Sequence, residues 1–350
     1  MKRKRIISYL FICTLLMSVQ IGCGRSLSSE NEVVPQFVFR YAENQAADYP
    51  TTLGANKFAE LVEERTGGRI KIVVFHSAQL GSEVECIEQL RIGGIDFARL
   101  SLTQLAEVEP SFNVLHLPYL YRDEEHMWQV LDSEIGNHFL GALEKQNILG
   151  LSWYTAGSRS FYTTVPIESL GDFKGLNIRV QESTMAAEMV RLIGATASPI
   201  VFSDVYSALQ TGRIDGAENN WPSYESTSHY EVAQYYYWTE HTRVPEMQVI
   251  SQEALQKLSD EDMEIIRECA KESALFQRQE WGKRTERSKK ICYENGVEVI
   301  LPKAEDIALM QELCRPLYEK YAADYMDIVE QIFAMGLEEA PGVMGEAKNQ

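Results

Sequence analysis

Between Phe37 and Leu100 the chain repeatedly exchanges a strand pattern for a helix pattern, and this alternation restricts the possible folds more than any other feature. Phe37-Val-Phe-Arg-Tyr41 reads as a strand. Leu53 to Arg65 places Leu53, Phe58, Leu61 and Val62 on one helical face and stops at Thr66-Gly-Gly68. Arg69 to Phe75 is a second strand, Ser77 to Gly81 a turn, Ser82 to Ile92 a helix, and Ile95 to Leu100 a short third strand. Such a series predicts an α/β fold, with a parallel or mixed sheet covered by helices. A second series begins near Gly150, with strands at Leu151–Tyr154, Gly175–Val180 and Ile214–Ala217. Its helices are expected at Ser183–Ile193 and Ser203–Thr211, with Ser203 as N-cap and Gly212 just past the end. Beyond Ser259 the pattern is mostly helical. Two such lobes with facing loops enclose a cleft, and hinged closure around a ligand is an established use of that arrangement. The expected organisation is residues 37–150 mainly in the first lobe and 151–255 mainly in the second. Residues 256–350 form a helical region packing across both.

The first residues point to export. Lys2, Arg3, Lys4 and Arg5 precede an apolar run from Ile6 to Ile21, which is short for a membrane span and suits a signal-peptide core. Gly22-Cys23 ends the run, and a polar stretch follows, so residues 1–22 read as a cleaved leader and 23–36 as a flexible tether. A small residue followed by Cys at this place resembles a bacterial lipobox, which implies lipidation of Cys23. Gln20 stands where lipoboxes usually carry Leu.

Charge and cysteines exclude several functions. The net charge is −18, and loss of the leader's four cations makes it more negative. That opposes binding to nucleic acid or anionic headgroups. It does not oppose a small anionic ligand, because a few buried arginines can invert the local field. Cys86, Cys269, Cys292 and Cys314 are widely spaced, without C-x-x-C or a His/Cys cluster. No metal site or cofactor is implied; one disulfide and buried free thiols both remain open.

Several segments are denser in Arg, Asn and aromatics than a plain core requires. They are Gln79-Leu-Gly-Ser-Glu83, Gly157-Ser-Arg-Ser-Phe-Tyr162, Lys174-Gly-Leu-Asn-Ile-Arg-Val180, the run from Val201 to Asn220, and Glu240-His-Thr-Arg-Val-Pro-Glu246. In order and spacing they resemble the solute-binding proteins of TRAP (tripartite ATP-independent periplasmic) transporters, over about residues 37–335. The resemblance implies a two-lobed, periplasmic-binding-protein-like fold with the ligand in the cleft. It also implies partnership with a small and a large membrane subunit.

Site roles follow from the same resemblance. It makes Arg179 the bidentate partner of a ligand carboxylate, which suits a planar, permanently charged guanidinium in an otherwise apolar strand. Arg159 corresponds to a second arginine near the carboxylate or a hydroxyl, Asn219 to an amide partner, and Phe202 to an aromatic on the ligand, although Phe202 also suits a core. On the first lobe it points to Asn44, Glu83 and Arg99. Glu83 also suits a helix first turn, and Arg99 suggests a hydroxylated or second carboxyl end. His241, Arg243 and Glu246 read as a polar loop near the ligand, and Trp221 with Tyr224 as stacking or core residues.

The expected function is capture of a small organic acid, a uronate or aldonate before a dicarboxylate, for a membrane transporter. A sensory module for the same ligand and an exported sugar-acid enzyme are the alternatives. The chain contains no G-x-S-x-G, H-E-x-x-H, P-loop or G-x-G-x-x-G sequence.

Overall fold

The computed structural model describes residues 34–336. The leader, Cys23 and almost all of the tether lie outside the described residues. The first series forms β1 (Phe37–Ala42), α1 (Pro50–Arg65), β2 (Ile70–Phe75), α2 (Glu83–Arg91) and β3 (Phe97–Ser101). Helix α1 starts at Pro50, earlier than its apolar face indicates, because proline fits the first helical position. Helix α2 opens on a capping box between Ser82 and Glu85. The second series forms β4 (Ile148–Thr163), β5 (Asn177–Val180), α3 (Thr184–Leu192), β6 (Thr196–Pro199), α4 (Val205–Gln210), β7 (Gly216–Asn219) and α5 (Trp221–Ser226). Then come β8 (Tyr235–Ser251), α6 (Asp260–Glu294) and β9 (Glu298–Ile300).

All of these strands join one mixed sheet, in the order β2-β1-β3-β8-β4-β7-β5-β6, with β9 also on β8. Its outer parts are parallel, as βαβ connections require: β1 with β2 and β3, and β5 with β6 and β7. The centre is antiparallel. Strands β4 and β8, of 16 and 17 residues, pair from Ile148↔Ser251 to Thr163↔Tyr235. Their first stretch carries β3 and their last stretch carries β7 and β9. The two lobes therefore share the same pair of strands.

This corrects two local readings. The strand expected at Leu151–Tyr154 continues to Thr163, and Glu240–Glu246 is strand, not loop. Polar and charged residues there mimic a loop because their burial depends on partners far away in sequence. A third correction concerns Ser203, which does not cap a helix. A 3₁₀ turn occupies Phe202–Asp204 and α4 begins at Val205, while the Ser203 hydroxyl contacts Asp204 at 3.2 Å. All four cysteines among the described residues are buried free thiols.

The crossing strands bend where they pass between the lobes. The β4–β8 register shifts between Thr155 and Ser158, and again between Arg159 and Phe161. Bulges of this kind bend a strand and strengthen its twist. Gly157 sits in the first with φ +62°, and a Cβ there would lie 2.7 Å from Trp281 Nε1. Opposite Thr155 is Pro245, which has no N–H for the ladder.

Helix α6 braces the bend from outside. Its 35 residues start from a capping box at Ser259 and span about 50 Å at 1.5 Å per residue. Its early turns bury Met263, Ile266, Cys269 and Ala270 against Phe58, Leu61 and Val62 of α1. Its later turns reach α5 of the second lobe. Arg284 there bonds Asp48 at 2.8 Å and Glu225 at 2.7 Å, tying the loop before α1 to α5. The Asp48 carboxyl is held below its usual range mainly by the hydrogen bond from Arg284.

Gly157→Ala is expected to destabilise the fold by about 1–3 kcal/mol, from the combined cost of positive φ and overpacking against Trp281. Urea unfolding of the variant measures this; an unchanged midpoint would show that the bulge tolerates a side chain.

Candidate ligand-binding site

Strand ends and helix starts of both lobes meet at a cavity of about 660 Å³, within the range usual for small-molecule sites. The structure brings Arg179, Arg159, Asn219, Phe202, Glu83, Asn44 and Arg99 to its wall. Each comes from a different local device. Arg179 is in β5 and Asn219 ends β7, Arg159 follows the β4 bulge, and Phe202 lies in the 3₁₀ turn before α4. On the facing wall, Asn44 follows β1, Glu83 opens α2 and Arg99 is in β3. Tyr49 bridges the walls, with its hydroxyl 2.8 Å from Ser223 Oγ and 3.3 Å from Asn220 Oδ1.

Three arginines line the cavity, and their hydrogen bonds separate them. A guanidinium has five N–H donors. Arg99 spends all five within the protein. Its Nη1 donates to Glu83 at 2.5 Å and Glu246 at 2.6 Å, its Nε to Glu43 at 3.1 Å, and its Nη2 to Glu43 and Asn44. Arg159 spends four. Its Nε donates to Glu218, its Nη2 to the Glu218 carboxylate and carbonyl, and its Nη1 to Asn219 Oδ1 at 3.0 Å. Arg179 spends one, from Nε to the Ile200 carbonyl at 2.9 Å. Among the described residues no carboxylate pairs with it, and Nη1 is buried without a partner. The side chain is nevertheless 98 % shielded, its residue exposure being 2%.

The electrostatics follow. Burial pushes the Arg179 pKa down to about 10, with Glu218 pulling the other way, so the group stays charged at neutral pH. Glu218 is opposed by burial, but the Arg159 charge and the His241 contact hold its pKa at about 2. Glu246 goes the opposite way: burial raises it to about 7, although Arg99 resists. Burial likewise raises Glu83. Burial and the nearby Arg179 charge lower His229 to about 3, leaving a neutral imidazole whose Nδ1 is 2.8 Å from the Tyr162 hydroxyl.

His241, Arg243, Trp221 and Tyr224 are not on the cavity wall. His241 is fully buried in β8, stacked on Phe161 at 4.4 Å, with Nε2 3.7 Å from Glu218. It touches the site only through Glu218. Trp221 is stacked on Tyr236 at 3.7 Å inside the second lobe. Arg243 bonds Glu240 at 2.8 Å, whereas Glu246 does line the cavity. Glu83 is both a first-turn helix residue and an ion-pair partner of Arg99. Phe202 lies at the cavity rather than in the core, its ring meeting His229 edge-on at 6.4 Å. Sequence reading missed Glu43, Tyr49, Gln181, Glu218 and His229. The signal for Glu43 was an arginine in apolar β3 that needed acids nearby.

A two-lobed sheet protein with crossing strands, a shared cleft and a buried unpaired arginine in that cleft defines a solute receptor. Comparisons with known proteins place it further. Residues 41–324 match the family model of the bacterial extracellular solute-binding proteins, family 7. A solute-binding protein of Chromohalobacter salexigens is 37% identical over 281 residues, covering 80% of this chain and 83% of its own. A TRAP periplasmic solute-binding protein of Xanthobacter autotrophicus Py2, solved with bound β-D-galacturonate, is 39% identical. It superposes with TM-score 0.82 over 85% of this chain and 99% of its own. One from Pseudomonas putida F1, solved with bound D-glucuronate, is 34% identical with TM-score 0.84, over 86% and 98%. The chain belongs to family 7 of the bacterial extracellular solute-binding proteins and is a solute-binding protein of the TRAP type.

Because folding raises the Glu246 pKa, its contribution to stability is fully present below the unfolded value of about 4.3 and is lost as pH rises through about 7. Glu246→Gln removes that titration. The variant is expected to gain about 1–3 kcal/mol over the parent at pH 8, with the gain shrinking toward pH 4.5. Thermal or urea unfolding across this range measures it; a gain that grows on acidification would contradict the assignment.

Proposed function

We propose that this receptor captures a uronate-type sugar acid, with Arg179 anchoring the carboxylate, and delivers it to TRAP membrane subunits. The observation that carries the reading is the open donor set of Arg179: four N–H groups of a buried, charged fork face no carboxylate among the described residues. A carboxylate fits that fork with two parallel hydrogen bonds. Arg159, neutralised by Glu218, keeps one N–H for a carboxylate or hydroxyl oxygen. Asn219 and Phe202 complete that wall, while Asn44 and Glu83 take hydroxyls on the other.

Magnitudes support binding without catalysis. A charge-assisted hydrogen bond contributes about 1.5–3 kcal/mol net, and micromolar affinity needs about 8 kcal/mol in total. Two such bonds, several hydroxyl contacts and closure of the lobes reach that figure with no reacting group. The lobes, mainly residues 37–150 and 151–255, close on the crossing strands while the helical region from 256 onward spans them. Uronates are favoured because both solved relatives described above hold one. Residues 1–22 direct export, and Cys23 carries a lipid that anchors the mature chain at the outer face of the membrane. Palmitate labelling of the parent and of a Cys23→Ala variant tests the anchor: label on both would assign it elsewhere.

Arg179→Ala is expected to lower affinity for D-galacturonate or D-glucuronate at least about a hundredfold while the variant stays folded, because a desolvated charge pair is lost. Arg179→Lys is expected to lose much of the same affinity, since ammonium keeps the charge but not the planar fork. Isothermal titration calorimetry with both uronates measures these effects. Unchanged affinity in Arg179→Ala would remove Arg179 from the site, and equal binding of the uncharged parent hexose would remove the acid requirement.

A further inference from the structure

We propose that the wall built by Glu43, Glu83 and Glu246 around Arg99 is a charge filter that admits the hydroxyl-bearing end of a sugar acid and rejects a second carboxylate. The inference rests on the reading that Arg179 holds the first carboxylate, and it narrows the substrate class to singly charged acids.

Two independent observations carry it. One is the saturation of Arg99. Its five donors end on Glu43, Glu83, Glu246 and Asn44, so no N–H remains for an anion entering from the cavity. Sequence reading left a hydroxylated and a second carboxyl end both open at Arg99; the structure gives its charge to three carboxyls already inside the protein. The other is the contrast with Arg179 in the same cavity, more than nine-tenths buried and unpartnered at Nη1. One wall thus presents a cation without an anion; the other presents Glu83 and Glu246 around Arg99, with the fully buried Glu43 pairing Arg99 from behind.

The acid wall is never positive. With all three carboxyls ionised, acids exceed the guanidinium by two; with one protonated they exceed it by one, and only with two protonated do the charges balance. Burial raises both Glu83 and Glu246, so an additional carboxylate beside them would force further proton uptake. Hydroxyls meet the opposite situation. Glu246 Oε1 accepts no hydrogen bond from the described residues and is open to a donor. Asn44 Oδ1 is taken by Arg99, so its amide N–H₂ remains to donate to a hydroxyl oxygen. A polyol supplies both partners; a carboxylate supplies an acceptor but no donor, and its negative charge is repelled by the resident acids.

Three acids of one configuration separate charge from shape. D-Galacturonate carries one carboxylate on a ring, galactonate one on an open chain, and galactarate one at each end of an open chain. Calorimetric titration of the wild type is expected to give galactarate about a hundredfold weaker than galacturonate and clearly weaker than galactonate, since like-charge juxtaposition is strongly disfavoured. In Glu83→Gln and in Glu246→Gln the galactarate-to-galacturonate ratio is expected to fall about tenfold or more, whatever happens to uronate affinity itself. The wild-type comparison needs no variant to fold. Galactarate binding within about threefold of galacturonate overturns the filter, as does equal weakness of galactonate and galactarate. An unchanged ratio in both folded variants overturns it as well. Absence of all uronate binding would instead overturn the underlying reading, and the filter with it.

Discussion

The pairing of β4 with β8 is the constraint from which the rest of the molecule follows. Each lobe contributes a short parallel set, β1 to β3 or β5 to β7, and such sets need a partner to close their inner edge. The two long strands supply that edge to both lobes at once. Because one ladder serves both, a change in the relative position of the lobes must bend it. Its register slips at three places, among them Thr155–Ser158 opposite Pro245, where Gly157 accepts a conformation disfavoured for other residues. The cavity lies beside that bend, and residues on the shared strands, Arg159 and Glu246, reach it from the hinge itself.

Burying three guanidiniums beside that bend sets the second constraint. A buried charge is tolerable when paired and hydrogen-bonded, and costly when not. Arg99 and Arg159 meet the condition with resident glutamates, which fixes Glu43, Glu83, Glu218 and Glu246 in place. His241 then belongs to the support of Glu218 rather than to the cavity wall. The strands can carry these polar residues only because their partners arrive from other elements. That is why β4 and β8 look like interrupted strands in sequence and run unbroken in space.

The same dependence explains what was legible beforehand. The βαβ alternation and the helical C-terminal region were visible because periodicity is local: Phe58, Leu61 and Val62 advertise their face without reference to anything else. Arg179 was legible through the family resemblance, and a cation between Ile178 and Val180 suits that role because it needs an anionic partner or a solvent exit. Asn44, Glu83 and Asn219 were legible as positions that the family resemblance implies. The roles of Glu43 and Glu218 were not, since an acid beside a strand end looks the same whether it faces solvent or a buried arginine. Trp221 fits a sugar face as well as a core, and His241 reads as part of a polar loop because it stands among Arg243 and Glu246. Only the stacks on Tyr236 and Phe161 decide it.

Arg179 is the member of the set that breaks the pairing rule, and this is what makes the site a receptor rather than a salt-bridge network. Leaving a buried cation without a resident anion costs stability in the empty protein. On the proposed reading, an incoming carboxylate would remove that cost while forming its own bonds, so part of the binding free energy would be the relief of a penalty already built into the fold. Had β5 carried a neighbouring glutamate, as β7 does for Arg159, the empty lobe would be more stable and the ligand would have to displace an internal partner. The chain as a whole is strongly acidic, yet no carboxylate among the described residues pairs with Arg179. With the opposite wall saturated by glutamates, the cavity is polarised from one lobe to the other. On the proposed reading, a ligand charged at one end and hydroxylated at the other would have one favourable orientation across the cavity, and lobe closure in that orientation would bring each end to the wall that matches it.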